Sequence, residues 1–242
     1  MDSEQQRVQI EVEDGSMEAF VCRPSSGEPT PAVIIIHEIY GPHEHFDDVA
    51  CRLASHGYVG FAPDLFWKLG TPEFSDRASF MRFREKLDDP HLLASLDVCV
   101  AWLKEQSYVR ADRIGMVGFC FGGTYALLET AHNRDIAACV DFYGGMPSIE
   151  RSEKHPHTPL EAARDIRQPF LGLFGEEDQS IPVQQVRELE GILKENGVPC
   201  EFHIYPEAGH AFFNDQRPSY VKPAAEDAWA RMLEFYGRYL EA

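Results

Sequence analysis

The chain has 242 residues, 44% of them hydrophobic, and a formal net charge of −18 from 40 acidic and 22 basic side chains. Length and apolar content suit one α/β domain over residues 1–242 with a sizeable core. The acidic field repels nucleic-acid phosphates and anionic lipid, so neither nucleic acid nor membrane is an expected partner; a small-molecule ligand and a monomer or homodimer remain.

The N-terminus, MDSEQQRVQIEVEDG, is polar and acidic, without the basic start and apolar stretch of a secretory leader. Six cysteines, Cys22, Cys51, Cys99, Cys120, Cys139 and Cys200, form no CxxC pair and no zinc spacing. Free thiols in a reducing cytoplasm are expected.

Residues 7–13 and 18–23 alternate apolar and polar about Gly15 and predict an antiparallel hairpin. AVIIIHE, 32–38, is a continuous apolar run, the pattern of a strand buried on both faces. The histidines of His43-Glu44-His45, like those of His155-Pro156-His157, miss the HExxH spacing and are expected in exposed loops, with no metal. A second buried strand follows at 58–62, then an amphipathic stripe, Leu92, Leu96, Cys99 and Leu103, that predicts a helix.

The next stretch, IGMVGFCFGGTYAL at 114–127, places Cys120 between Gly118 and Gly122 on a strand-to-helix bend. Such a bend lifts a nucleophile clear of the sheet and strains its backbone, and its neighbours must be small; hence the pattern G-x-nucleophile-x-G. The helix N-terminus favours a thiolate there, and the Phe121 N–H points where an oxyanion would form.

A strand at 137–143 contains Asp141, and the unpatterned stretch 147–159 is expected as a surface loop. The strand at 169–175 ends in Glu176-Glu177-Asp178, the stripe Val183, Val186, Leu189 and Leu193 predicts a helix, and the strand at 200–205 leads to Gly209-His210. Trp229, Leu233, Tyr236 and Leu240 mark a last helix. The result is an α/β fold: a mostly parallel sheet with an N-terminal antiparallel hairpin and helices on both faces. Nucleophile, acid and histidine follow in the order used by α/β-hydrolases, each at the carboxyl edge of the sheet. Cys120 is thus the expected nucleophile, His210 the base and Asp178 its orienter, with Asp141 as second choice because it lies inside its strand.

With these motifs the chain resembles the dienelactone hydrolase (carboxymethylenebutenolidase-like) family of the α/β-hydrolase fold. The carriers are His37-Glu38-Ile39-Tyr40-Gly41, Gly118-Phe119-Cys120-Phe121-Gly122-Gly123, Gly175-Glu176-Glu177-Asp178 with Ile181-Pro182, and Ala208-Gly209-His210-Ala211-Phe212. The resemblance implies a cofactor-free, cysteine-dependent hydrolase of lactones or esters. It gives Glu38 the role of taking the thiol proton and Ile39 and Phe121 the oxyanion-hole N–H groups. A poorly solvated glutamate at a strand end has a raised pKa, which suits proton exchange with a thiol. Tyr40, Arg77, Phe80 and Asn214 fall where the family binds substrate. Asn214 stands in place of an arginine that holds a substrate carboxylate, and Arg82, Arg84 and Arg217 are candidate replacements. Neutral esters are therefore expected to serve at least as well as anionic lactones. Alternatives are a general carboxylesterase or thioesterase and, from another class, a non-catalytic redox-sensing thiol protein.

Overall fold

Strands β1 (Ser3–Val12) and β2 (Gly15–Pro24) form the antiparallel hairpin, in register from Ser3 opposite Pro24 to Val12 opposite Gly15. The computed structural model describes residues 2–25, 27–146 and 151–241. β2 also pairs antiparallel with β4 (Val59–Pro63). From there the sheet is parallel through β3 (Thr30–Ile36), β5 (Val109–Phe119), β6 (Ile136–Phe142), β7 (Phe170–Gly175) and β8 (Cys200–Tyr205). The eight strands lie in the order β1-β2-β4-β3-β5-β6-β7-β8.

Continuous burial of Ile114 to Phe119 shows that central β5 is covered on both faces, which explains its lack of polar alternation. β5 begins ahead of the expected 114 because Val109 pairs with Thr30 of β3. The covering helices are α1 (Glu44–Ser55), α2 (Arg77–Arg84), α3 (Asp89–Lys104), α4 (Phe121–His132), α5 (Pro159–Ala162), α6 (Val183–Glu195) and α7 (Lys222–Leu240). Tyr236 fixes α7 to β5 by donating its hydroxyl to the Met116 carbonyl at 2.8 Å in the buried core. None of the described helices is long and apolar enough to cross a membrane.

α1 corrects the reading of His43-Glu44-His45 as an exposed loop. Phe46, Val49, Ala50 and Leu53 bury one face of this helix, and His45 lies on the same side, 1% exposed and 3.4 Å from Asp215. His43 is its half-buried N-cap. His155 is half-buried against Asp89 at 3.0 Å, whereas His157 is exposed. Part of the expected 147–159 loop, residues 147–150, lies outside the described residues, and the loop ends where Thr158 and Glu161 cap α5 reciprocally.

The carboxyl ends of β3, β5, β7 and β8 lead directly to Glu38, Cys120, Asp178 and His210. The fold therefore gathers at one sheet edge four side chains that are far apart in sequence.

Candidate active site

Cys120 is the N-cap of α4 and has φ 57° and ψ −114°, a left-handed conformation that a non-glycine residue adopts at a cost of about 1–3 kcal/mol. The surrounding backbone holds it there. Its N–H donates to the Phe142 carbonyl at 3.0 Å, and its own carbonyl accepts from the Gly123 N–H at 3.1 Å. The flanking glycines answer to close approach. A Cβ on Gly118 would sit 1.9 Å from the Gly122 carbonyl oxygen, and one on Gly122 would sit 2.1 Å from that of Ile36. The bend is thus packed on the end of β3, at Ile36 and His37.

Asp178 and His210 meet at 2.7 Å, carboxylate Oδ2 to imidazole Nδ1. The other carboxylate oxygen accepts the N–H groups of Ser180 and Ile181 at 2.7 and 3.2 Å. One buried acid thus caps its own turn and orients the ring. Burial opposes a charge on His210, but hydrogen bonds to Asp178 and Cys120, with the charges of Asp178 and of a thiolate at Cys120, outweigh it, and beside a thiolate its pKa is pushed up to about 10. Asp141, the second choice, is 1% exposed and accepts the Gly144 N–H at 2.7 Å; burial lifts its pKa to about 7. It braces the backbone beneath the bend, and the imidazole is held by Asp178.

Glu38 is 2% exposed. Its Oε2 lies 2.7 Å from the Arg217 guanidinium and 3.4 Å from the Asn214 amide, which donates to it; Oε1 is buried and has no hydrogen-bond partner among the described residues. Burial raises its pKa, against the lowering effect of the Arg217 and His210 charges. Asn214 is fully buried on Glu38, so the amide offered as a substrate contact serves the glutamate instead. The cation at this place is Arg217, which also lies over the exposed Tyr40 ring, 4.4 Å from its centroid.

An aromatic chain continues from there. Tyr40 meets Phe74 at 5.4 Å, Phe74 meets Phe80 at 5.3 Å, and Arg84 lies over Phe80 at 5.9 Å. Arg77 and Arg82 are exposed on α2. Ile39 and Phe121 are buried, and the Phe121 ring stacks on His37.

Tyr143 was not singled out by the sequence. It has φ 44°, is fully buried, and packs edge-on against His210 at 5.3 Å, and its hydroxyl has no hydrogen-bond partner among the described residues. Burial, then the nearby Glu38 carboxylate, push its pKa well up. The sequence signal was slight: an aromatic residue before Gly144-Gly145 at the end of an apolar run. Among the described residues no group of three or more His, Cys, Asp or Glu is arranged to hold a metal ion.

The profile of the dienelactone hydrolase family matches residues 17–240. The chain belongs to this family. A relative in Methylorubrum extorquens, provisionally named a carboxymethylenebutenolidase, is 36% identical over 96% of this chain and 80% of its own. Another under the same provisional name in Escherichia coli K12 is 38% identical over 93% of this chain and 83% of its own. The crystal structure of a provisionally assigned dienelactone hydrolase from Klebsiella pneumoniae superposes with a TM-score of 0.93, at 35% identity, over 99% of this chain and 100% of that one. A dienelactone hydrolase-like phosphotriesterase at 19% identity and TM-score 0.82 shares the fold. Membership of the dienelactone hydrolase family makes the protein a hydrolase of lactones or esters, built on the α/β-hydrolase fold.

Proposed function

We propose that hydrolysis proceeds through a thioester on Cys120. The observation that carries this reading is the 2.7 Å Asp178–His210 hydrogen bond beside a thiol held at positive φ on the helix N-terminus. A redox sensor would have no use for that pair. In the proposed reaction Glu38 takes the thiol proton and Sγ attacks the substrate carbonyl. The Ile39 and Phe121 N–H groups stabilise the tetrahedral oxyanion. Collapse breaks the acyl–oxygen bond, and the leaving oxygen takes up the proton. With sulfur acylated, no thiolate charge holds a proton on His210; the neutral imidazole removes a proton from water, the resulting hydroxide attacks the thioester, the carbon–sulfur bond breaks, and the imidazolium returns its proton to sulfur.

Arg217 revises the expected substrate preference. A guanidinium, rather than the neutral Asn214 alone, faces the site and is held by Glu38. A substrate carboxylate can exchange with Glu38 on Arg217, which frees Glu38 to accept the thiol proton. Carboxylate-bearing lactones are therefore the proposed substrates. A reducing compartment such as the cytoplasm suits a catalytic thiol.

The test is Cys120→Ala, assayed with a carboxylate-bearing enol lactone and with its methyl ester. Loss of turnover in a folded variant is expected with both; turnover equal to the wild-type rate contradicts the nucleophile.

A further inference from the structure

His37 precedes Glu38 and has no part in the reaction above, although it is 1% exposed and bonded at both ring nitrogens. Its Nδ1 lies 2.8 Å from the Glu38 carbonyl oxygen, which can only accept. Its Nε2 lies 3.2 Å from the Leu65 N–H, which can only donate. One neutral tautomer, protonated on Nδ1, satisfies both. The Glu38 carbonyl accepts a second hydrogen bond from the Gly41 N–H at 3.0 Å, in a turn that Gly41 closes at φ 84°.

That carbonyl and the Ile39 N–H belong to the same planar trans peptide, so fixing one fixes the direction of the other. The His37 ring also stacks on Phe121, with centroids 5.9 Å apart and planes 12° apart, and packs edge-on against Phe66 at 4.6 Å. One imidazole therefore bonds the peptide that carries the Ile39 N–H and stacks on Phe121, the residue that supplies the other proposed oxyanion donor.

We infer that His37 is a positioning residue: it clamps the Glu38–Ile39 peptide so that the Ile39 N–H stays aimed at the oxyanion formed on attack by Cys120. This rests on the thioester reading above. An aimed donor is worth more than a mobile one, because it needs no reorganisation as the oxyanion charge develops. Burial keeps His37 neutral through the neutral range, its pKa pushed down to about 4, so the donor on Nδ1 persists at working pH.

The test compares His37→Asn, which keeps an amide donor at the position of Nδ1, with His37→Gln and His37→Phe, which do not. Loss of a whole oxyanion donor costs about 100- to 1000-fold in kcat, so a misaimed one is expected to cost roughly 10- to 300-fold in the Gln and Phe variants. KM is expected to stay near the wild-type value, and Asn to recover kcat to within about tenfold of it. Affinity for an aldehyde analogue of the acyl group, whose adduct with Cys120 places an oxygen in the same donors, is expected to fall in step with kcat. Alkylation of Cys120 by iodoacetamide, which forms no oxyanion, is expected to proceed at the wild-type rate. Wild-type kcat in Gln and Phe, or an aldehyde affinity unmoved while kcat falls, overturns the clamp. So does an Asn variant no better than Gln at equal melting temperature. If the Phe variant does not fold, the Asn and Gln pair decides. Failure of the thioester reading is seen separately, as turnover by Cys120→Ala.

Discussion

At the scale of single residues, the Asp178–His210 bond separates two roles. His210→Ala removes the proposed base and should lower kcat by roughly 10⁴- to 10⁶-fold, as loss of a triad histidine does elsewhere. Asp178→Asn keeps the turn but loses the charge that favours the imidazolium, and should cost less, about 10²- to 10⁴-fold. Asp141→Asn should cost least, because its carboxylate serves the Gly144 N–H. Steady-state kinetics on the three folded variants checks the ranking, and a larger loss in Asp141→Asn than in Asp178→Asn contradicts it. Arg217 makes a second residue-scale prediction. Truncating one partner of a buried charge pair costs about 2–5 kcal/mol, roughly thirtyfold to several thousandfold. Arg217→Gln should lose that much kcat/KM for a lactone with a free carboxylate and little for its methyl ester. Equal losses on both substrates would mean that Arg217 serves Glu38 and not the ligand.

At the scale of elements, α4 carries the proposed nucleophile at its start and a buried acid near its end. Glu129 is fully buried and accepts from the Asn133 amide at 3.1 Å, and its Oε2 has no hydrogen-bond partner among the described residues. Burial, then the Asp97 carboxylate of α3, raise its pKa from 4.5 to about 9. The unfolded chain releases this proton near pH 4.5 and the folded chain only near 9, so stability is present below 4.5 and is lost as pH rises through that window. Glutamine carries no titrating proton and can donate to Asp97. Glu129→Gln should therefore match wild type near pH 4.5 and exceed it by on the order of 3 kcal/mol at pH 8. Urea unfolding at the two pH values checks this; a variant less stable than wild type at pH 8 contradicts the buried neutral carboxyl. The same helix shows what could be read in advance. Gly118, Cys120 and Gly122 were legible because a sharp bend dictates residue size at fixed spacing. α1 was not, because its inward stripe opens with His45, a residue type less often fully buried than the apolar ones that mark a core face.

For the whole molecule, the apolar runs gave away the parallel strands, and the catalytic candidates were legible because each sits just past one of them. Arg217 could not be separated from the other arginines, since its place depends on a loop that lies against Glu38 only once the sheet is assembled. The buried acids and histidines together set the pH response. His37 and His45, both pushed down to about 4 by burial, stay neutral while the unfolded chain protonates near 6.5, so their contribution is lost as pH falls from 6.5 to 4. Glu129, Asp141 and Glu38 have raised values, and their contribution is lost as pH rises above the ordinary carboxyl range. The two trends cross at mildly acidic pH, and falling pH also relieves the self-repulsion of a chain with net charge −18. The urea midpoint should peak near about pH 5 and fall on either side. A midpoint that rises steadily to pH 8 would contradict this balance.

The most direct measurement is capture of the acyl-enzyme. Turnover of an ester with a good leaving alcohol and a slowly hydrolysed acyl group, quenched in acid within the first turnovers, is followed by intact-mass and peptide analysis. A thioester through Cys120 predicts one added acyl group, on the peptide holding Cys120, released by hydroxylamine and missing from Cys120→Ala. An acyl group on another residue, or undiminished turnover by Cys120→Ala with no adduct in either protein, would contradict it.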